Sequence, residues 1–347
     1  MADATPHQGT SAPVILTPGD PAGIGAEISL KAFAAGMRGF ILMEDPERLA
    51  AMAARLGLDV PIEVVEAPVS GPFNLASDHA ALPVLALSWD TAPLPGNGDP
   101  RNAARVIDSI RRAAAMAQDG HVAAIVTNPI HKSVLIEAGF PHPGHTEFLA
   151  SLAPPRTGAP MMMLASEMLR VVPATVHIAL RDVPDALTTD GLVAKGRLLE
   201  ESLRIYFGCA APRIAFCGLN PHAGEDGQFG DEDSRIIAPA VETLKAEGMS
   251  AFGPLSADTL FHPEARASYD AVIGMYHDQV LIPLKTIDFD GGVNITLGLD
   301  FIRTSPDHGT AFDLAGTGRA RPDSLIAAIR MAQTMARMKA AHDRDHG

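Results

Sequence analysis

Short and nearly uninterrupted apolar runs recur along the whole chain, separated by segments with helical periodicity. Continuous runs are typical of strands buried on both faces of a parallel sheet, whereas half-exposed strands alternate apolar and polar residues. The runs predict ten strands: Val14–Thr17, Phe40–Met43, Ile62–Val65, Val84–Leu87, Val122–Val126, Met161–Ala165, Val171–Ile178, Ile214–Cys217, Ala271–Met275 and Val293–Leu297. The alternation predicts an α/β protein whose sheets are covered by helices.

Three of the intervening segments carry apolar residues at the three- and four-residue spacing of an amphipathic helix. These predicted helices are Asn102–Gln118, Asp233–Glu247 and a last helix that opens at Pro322. We expect the second helix to end at Gly248, because glycine readily adopts the left-handed conformation that follows a helix.

The composition excludes several classes of protein. With 47% hydrophobic residues, the 347-residue chain has enough apolar material for one large domain or two ordinary ones. Its apolar stretches are too short for a membrane span, and residues 1–13 lack the order of a secretory signal. The two cysteines, Cys209 and Cys217, argue against a disulfide scaffold and indicate the reducing cytoplasm. A formal charge of −14 disfavours nucleic acid as a partner.

Three predicted strands lead into a histidine. Val171–Val176 precedes His177, Ile214–Leu219 runs through Asn220-Pro221 to His222, and Ala271–Tyr276 precedes His277. Ligands of α/β sheets bind beyond the carboxyl ends of the strands, and three imidazoles with one open position can hold zinc or a similar ion. No local metal motif joins the three residues, so ordinary hydrogen-bonded histidines are the alternative interpretation.

Two further clusters carry donors suited to an anion. Thr127–Lys132 follows a predicted strand and precedes Gly144–Glu147; the alternative is a solvated loop with a helix cap at Thr146. The other cluster consists of Lys285, Asn294 and Arg303. An amide inside a buried strand needs a partner, so a structural hydrogen bond or ion pair is the alternative for this cluster.

Two glycine-rich loops complete the set of candidate features. Gly19–Gly25 follows the first strand, and Asp307–Ala311 is followed by Leu314–Gly318. The first loop has neither the G-x-G-x-x-G nor the P-loop pattern, although its glycines could let a ligand approach the backbone. The second loop has low specificity as a bare pattern.

Longer motifs link these clusters along the chain: TPGDPAGIG, GHTEF, GLNPHAGE, ADTLF, MYHDQ, GVNITLGL and FIRTSPDHGTAFDLAG. In this order and at these separations they closely resemble the 4-hydroxythreonine-4-phosphate dehydrogenases, enzymes of vitamin B6 biosynthesis. The resemblance covers the chain from about Pro13 to the final predicted helix.

The resemblance implies a fold of the isocitrate/isopropylmalate dehydrogenase type, with two α/β/α domains and a cleft between them. We expect a discontinuous first domain, 1–130 plus 265–347, that carries the cofactor loop. A second domain, 131–264, would carry the dimer interface and the metal histidines. The resemblance also implies a homodimer with active sites at the subunit interface.

The same resemblance assigns roles to individual residues. The metal ligands would be His177, His222 and His277, drawn from both subunits. The substrate would be bound by His145, Thr146, Lys285, Asn294 and Arg303. The adenosine side of NAD or NADP would lie on His308, Gly309, Thr310 and Ala311. Lys285 is also a candidate catalytic proton carrier, because burial near a cation would depress its pKa.

The implied reaction is the oxidation of 4-phosphooxy-L-threonine to 2-amino-3-oxo-4-phosphooxybutanoate, followed by loss of carbon dioxide to give 3-amino-2-oxopropyl phosphate. A divalent ion (zinc, magnesium or cobalt) would lower the pKa of the substrate hydroxyl, and NAD would take the hydride. One alternative is a related dehydrogenase of 4-phospho-threonate or 4-phospho-erythronate. The others are a metal-dependent lyase or aldolase without NAD and a non-catalytic metal-binding protein.

Overall fold

The structure is a computed structural model that describes residues 12–73, 79–142, 144–152 and 159–346. Its strands are β1 Val14–Thr17, β2 Phe40–Glu44, β3 Ile62–Val65, β4 Leu82–Ala86, β5 Ala124–Thr127, β6 Met161–Ala165, β7 Arg170–Thr175, β8 Arg213–Cys217, β9 Ser250–Leu255, β10 Ala271–Tyr276, β11 Val293–Leu297 and β12 Arg303–Pro306.

The α-helices alternate with these strands. They are α1 Gly25–Ala34, α2 Pro46–Leu56, α3 Ala103–Gln118, α4 Lys132–Glu137, α5 His145–Leu152, α6 Val183–Ala186, α7 Thr189–Phe207, α8 Ala238–Ala246, α9 Ala257–Leu260, α10 Pro263–Arg266, α11 His277–Ile287 and α12 Asp323–His346. The predicted α/β class is therefore confirmed. Within the described ranges, no helix has the length and apolar character needed to cross a membrane.

The chain divides into two compact units. The first unit comprises residues 1–153 and 300–337, and the second comprises 154–299 and 338–347. The division predicted from the sequence, 1–130 plus 265–347 and 131–264, differs from these units at 131–153, 265–299 and 338–347. Strand pairing accounts for the larger difference: β10 pairs with β7 and β8, and β11 pairs with β6, so 271–297 joins the second unit.

The first unit contains a parallel sheet in the order β3-β4-β2-β1-β5-β12. Every residue of β1 and β2 is buried, as their continuous apolar sequences predict. The helix that follows β2 has clear end signals: Asp45 accepts a hydrogen bond from the backbone of Arg48, Pro46 opens the helix, and Gly57 closes it with φ 67°.

The second unit contains strands in the order β11-β6-β7-β10-β8-β9. The strands β7, β10, β8 and β9 are parallel, whereas β6 runs antiparallel to both β11 and β7. Although its continuous apolar run is typical of a parallel sheet, β6 is therefore antiparallel to both of its neighbours. The reason is local, since only the short turn around Met168 joins β6 to β7, and a short turn requires antiparallel neighbours.

Several predicted boundaries shift. The strand predicted as Val171–Ile178 ends at Thr175, because the backbone leaves the extended region before His177, which has φ 53°. The helix predicted as Asp233–Glu247 begins with a wider turn over Asp233–Ile237 before α8, and Gly248 follows it with φ 89° as expected. The strands β9 and β12 were not predicted, because neither is a continuous apolar run.

Candidate active site

The three predicted metal histidines follow three adjacent parallel strands of the second unit, β7, β10 and β8. His177 lies two residues beyond β7, His277 directly follows β10 and opens α11, and His222 lies five residues beyond β8. Because the carboxyl ends of parallel strands share one edge of the sheet, the three histidines follow strand ends at the same edge.

His177 and His277 are close neighbours, with ring centroids 5.8 Å apart. Both line a cavity of about 260 Å³. The remaining residues that line it are Thr175, Ile178, Leu180, Val183, Tyr276 and Asp278. Two imidazoles on a mixed polar and apolar wall are suited to a small ligand that carries a few polar groups.

His222 is not brought into this pair. Among the described residues, no group of three His, Cys, Asp or Glu side chains is arranged to hold a metal ion. The side chain of His222 is 64% exposed and lies edge-on to Phe229, with centroids 6.1 Å apart. A hydrogen bond from Ser256, and to a smaller extent the nearby ring of His222, hold the pKa of Asp258 below its usual range. The carboxylate of the ADTLF motif therefore lies near His222.

The hydrogen bonds of two of these rings fit a metal ligand. His277 Nδ1 lies 2.7 Å from Asp278 Oδ1, and His222 Nδ1 lies 3.1 Å from Glu225 Oε2. A carboxylate accepts hydrogen bonds, so Nδ1 of each ring donates, and the lone pair of a neutral ring is left on Nε2. Carboxylates fix the orientation of metal-bound histidines in the same way in many metalloproteins. The donor set therefore fits a divalent ion.

The backbone is strained at two of the three histidines. His177 has φ 53° and His222 has φ 51°, in the left-handed region that favours glycine. His222 also begins six consecutive residues with positive φ that end at Gly227. Such a conformation costs about 1–2 kcal/mol for each non-glycine residue, and strain of this kind concentrates at functional sites.

In the first unit, the side chain of a buried arginine reaches the carboxyl end of β5. Arg303 opens β12, is 4% exposed, and donates from Nη2 to Thr127 Oγ1 at 2.7 Å. Burial lowers the pKa of Arg303 to about 10, so the side chain remains a cation at neutral pH. A buried cation at the end of a strand is suited to binding an anion.

His145, the first residue of α5, lies close enough to Arg303 to be affected by its charge. Burial, and then the charge of Arg303, lower the pKa of His145 well below its ordinary value of 6.5. The ring is therefore neutral at pH 7. Its Nε2 atom is buried and has no hydrogen-bond partner among the described residues, as expected of a group that binds a ligand.

Other predicted substrate residues lie on regular elements. Thr146 is the second residue of α5, which places it within the first turn and not at the predicted helix cap. Lys285 lies in α11 of the second unit, on the helix that His277 opens. Asn294 lies in β11, opposite Leu164 of β6, and is partly buried. The structure therefore brings His145 and Arg303 together in one unit and places Lys285 and Asn294 in the other.

The predicted cofactor loop follows β12. Thr310 is buried, its carbonyl accepts a hydrogen bond from the Ile24 backbone at 3.1 Å, and Ala311 has φ 46°. His308 Nε2 is buried without a hydrogen-bond partner in the described part of the chain. The loop is therefore held against the TPGDPAGIG segment, with one polar ring atom left for a ligand.

The glycines of TPGDPAGIG have a different role from the one expected. A Cβ atom on Gly19 would lie 2.5 Å from the Pro129 carbonyl, and one on Gly23 would lie 3.0 Å from the Thr310 carbonyl. Protein atoms already fill the space that a side chain would need. The glycines serve close packing between loops, and the expectation that they open the backbone to a ligand is not supported at these positions.

Sequence reasoning also missed a buried carboxylate. Glu44, at the end of β2, accepts hydrogen bonds from Trp89 Nε1 at 2.6 Å and Arg48 Nη1 at 2.9 Å. Arg48 also donates to the Pro21 carbonyl at 2.5 Å. Burial raises the pKa of Asp20 in the same loop. The only sequence signal for this network is an acidic residue directly after an apolar strand.

Comparison with known proteins identifies relatives across nearly the whole chain. A curated 4-hydroxythreonine-4-phosphate dehydrogenase from Xanthobacter autotrophicus is 54% identical over 333 residues, or 94% of each chain. A crystal structure of 4-hydroxythreonine-4-phosphate dehydrogenase from Klebsiella pneumoniae is 39% identical, with a TM-score of 0.86 over 95% of this chain and 99% of that one.

A more distant structure shares the fold. The terephthalate 1,2-cis-dihydrodiol dehydrogenase of Burkholderia xenovorans LB400 is 28% identical, with a TM-score of 0.63 over 93% of this chain and 98% of that one. Residues 37–332 match the model of a single family, described as pyridoxal phosphate biosynthetic protein PdxA. Since that match spans most of the chain, this protein belongs to the PdxA family.

Proposed function

We propose that this protein is the NAD-dependent dehydrogenase that oxidises 4-phosphooxy-L-threonine in vitamin B6 biosynthesis. The product, 2-amino-3-oxo-4-phosphooxybutanoate, then decarboxylates to 3-amino-2-oxopropyl phosphate. The observation that carries the proposal is the match at 54% identity, over 94% of both chains, to a dehydrogenase named for this substrate. The geometry of the two strand edges adds physical support.

The metal part of the proposal assigns zinc, magnesium or cobalt to His177, His222 and His277. It is supported by the 5.8 Å separation of two rings and by carboxylates on the Nδ1 atoms of His222 and His277. A divalent ion bound there would supply Lewis acidity at the substrate hydroxyl, and NAD or NADP would supply the hydride acceptor.

The side chains of the protein would bind and orient the substrate. The buried cation of Arg303 and the neutral ring of His145 would bind one of its anionic groups, with the Thr146 hydroxyl beside them. Asn294 would donate to another oxygen. Lys285, on the helix that His277 opens, would carry the proton released from the hydroxyl.

The cofactor would bind along the loop His308–Ala311. Support comes from the place of the loop directly after β12 and from the buried Nε2 of His308. The backbone of Thr310 is already fixed by Ile24, so the loop would present a preformed surface to the adenosine side of the cofactor.

We extend the proposal to architecture and assembly. The two units would be the two α/β/α domains of an isocitrate/isopropylmalate dehydrogenase type of fold with a cleft between them. The working unit would be a cytoplasmic homodimer with shared active sites. Three large apolar side chains of the second unit are strongly exposed, Leu180 at 67%, Ile282 at 63% and Phe289 at 76%, as expected of a surface that a second copy covers.

Shared sites can be tested by mixing two inactive variants. If His222 and His277 of one site come from different chains, heterodimers of His222→Ala and His277→Ala subunits hold one intact site. We expect activity in the mixture that neither parent shows. Verified heterodimers without activity would show that one chain supplies both ligands.

The proposed substrate is tested by NAD reduction with a panel of compounds. The panel contains 4-phosphooxy-L-threonine, 4-phospho-threonate, 4-phospho-erythronate and an unphosphorylated cis-dihydrodiol. We expect kcat/KM to be highest for the amino acid. Preference for a hydroxy acid would favour the related phosphorylated-acid dehydrogenases, and turnover of the diol alone would contradict the proposal.

A further inference from the structure

The ends of β8 and β10 are joined by one side chain where their backbone pairing stops. Backbone pairing between the two strands extends from Ala271 opposite Ile214 to Ile273 opposite Phe216. Beyond that point, the side chain of Gln279 in α11 connects the two strands by hydrogen bonds. Its Oε1 accepts from the Met275 backbone at 2.7 Å, and its Nε2 donates to the Gly218 carbonyl at 2.7 Å.

The surroundings of Gln279 are shaped to admit this bridge. A Cβ on Gly274 would lie 2.2 Å from Val280 and 3.0 Å from Gln279 Oε1. A Cβ on Gly218 would lie 2.7 Å from both Ala223 and Asp233 Oδ1. Larger residues at either glycine would displace the amide or the loop that it holds.

The loop that carries His222 is anchored on its other side by a buried carboxylate. Asp233 is 2% exposed and accepts from the Leu219 backbone at 2.8 Å and the Asn220 backbone at 3.1 Å. The side-chain amide of Asn220 also donates to Asp233 Oδ2 at 3.0 Å. Three donors on one buried carboxylate hold the segment directly before His222.

The third strand is joined to the same point. Thr175 Oγ1 donates to the Met275 carbonyl at 2.8 Å, two residues before His177 and two before His277. Met275 therefore accepts from Thr175 on one side and donates to Gln279 on the other. A continuous series of hydrogen bonds runs from the end of β7 through β10 to the end of β8.

We infer that Gln279 is a positioning residue that holds the His222 loop against the end of β10 and thereby sets the affinity of His222 for a divalent ion. The inference rests on the proposed function, since it concerns the proposed metal ligands. Its physical basis is that the strained left-handed turn from His222 to Asp226 needs a fixed support, which the Gly218 bond supplies.

The test measures Co²⁺ binding by the full-length chain after bound metal has been removed. Binding is measured by calorimetry and by the visible spectrum of cobalt. The variant is Gln279→Glu, which keeps the acceptor for Met275 but loses the donor to Gly218. The matched control is Gln118→Glu, which loses one exposed hydrogen bond, to Asp300 at 3.2 Å, at the end of α3. Thermal unfolding without metal is measured for each protein.

We expect Gln279→Glu to weaken Co²⁺ binding by about 10- to 100-fold and to change the cobalt spectrum, as loss of groups that orient metal ligands does. Gln118→Glu should match the wild type. Wild-type affinity and spectrum in Gln279→Glu would overturn the inference. Failure of the wild type itself to bind Co²⁺ would instead overturn the metal part of the proposed function, and the inference with it.

Should Gln279→Glu not fold, Thr175→Val tests the same series of hydrogen bonds from the β7 side. The substitution is nearly isosteric and removes only the bond to the Met275 carbonyl. We expect about a tenfold loss of Co²⁺ affinity with a changed spectrum. Unchanged binding in this variant would contradict the role of the series.

Discussion

The sheet edges of the two units hold their functional side chains in opposite ways. In the first unit, Arg303 and His145 project from a regular strand and a regular helix, and their polar atoms are buried. In the second unit, His177 and His222 lie on left-handed backbone, and the side chain of His222 is 64% exposed. The edge with Arg303 and His145 is therefore a buried edge, and the edge with His177 and His222 is a strained edge.

The difference follows from what each edge would bind. A cation attracts an anion more strongly where water is excluded, so burial of Arg303 favours recognition of a phosphate or carboxylate. A metal ligand instead needs an accessible lone pair and a fixed direction. Left-handed backbone at His177 and His222 can point the imidazole ring in a direction that the backbone of a strand or helix does not allow.

The largest expected effect is at the strained edge. His277→Ala should reduce turnover on the order of a thousandfold, because a Lewis acid contributes several kcal/mol to the transition state and each 1.36 kcal/mol is tenfold. Steady-state NADH formation measures the effect. His342→Ala, which removes a ring stacked on His346 in α12, is the control. Substantial turnover in His277→Ala would remove this residue from the site.

At the buried edge, Arg303→Lys should cost about 1.5–3 kcal/mol of substrate binding, the usual contribution of a hydrogen bond to a charged group. Lysine cannot reproduce the planar, multidentate guanidinium that donates to Thr127. The loss should appear in KM for the phosphorylated acid, with NAD affinity unchanged. A loss confined to NAD affinity would assign Arg303 to the cofactor.

The pH dependence of the free energy of unfolding tests whether the His145 ring at the buried edge is neutral in the folded state. The pKa of His145 is lowered in the folded state, whereas the unfolded chain has the ordinary value of about 6.5. Below pH 6.5 the unfolded state therefore takes up a proton that the folded state does not. Stability should fall as the pH falls, by at most about 1.4 kcal/mol per pH unit from this group.

Denaturant unfolding of the wild type and His145→Gln between pH 7.5 and about pH 5 measures this contribution, with the wild type losing more stability on acidification. His342→Gln is the control, because its ring stacks on His346 in the last turns of α12. Equal pH dependence in the wild type and His145→Gln would mean that the His145 ring is not held neutral.

The smallest expected effect concerns backbone strain in the loop that carries His222, at the strained edge. Ala223 has φ 54°, and glycine adopts this conformation without the steric penalty. Ala223→Gly should therefore raise or preserve the free energy of unfolding, within about 1 kcal/mol. The matched change Ala240→Gly, at a buried position inside α8, should destabilise the protein. A clear loss of stability in Ala223→Gly would contradict the strain.

Much of the fold follows from apolar runs, since β1, β3, β6 and β11 have the predicted bounds. The strand β12 could not be found in this way, because its sequence is Arg303-Thr-Ser-Pro306 and its burial depends on partners distant in the chain. Runs of one residue type also do not reveal strand direction, so the antiparallel direction of β6 required the structure.

The candidate site was predicted to a different extent at each edge. Histidines that follow apolar runs predict three side chains at one edge of the sheet. The order of strands in the sheet differs from their order along the chain, so the 5.8 Å separation of the His177 and His277 rings required the structure. The left-handed turn was hidden, because His222, Ala223 and Glu225 seldom adopt positive φ. The bridging role of Gln279 could not be predicted from the sequence either, because it depends on where β8 and β10 separate.

We propose that the sheet edge with the three histidines supports metal-dependent oxidation of a phosphorylated hydroxy amino acid. The most direct measurement is NADH formation from 4-phosphooxy-L-threonine by the wild-type protein before chelation, after exhaustive chelation, and after Zn²⁺, Mg²⁺ or Co²⁺ is restored. We predict NADH formation that is lost on chelation and recovered with at least one ion. An unchanged rate after exhaustive chelation, or no NADH with any ion, would contradict the account.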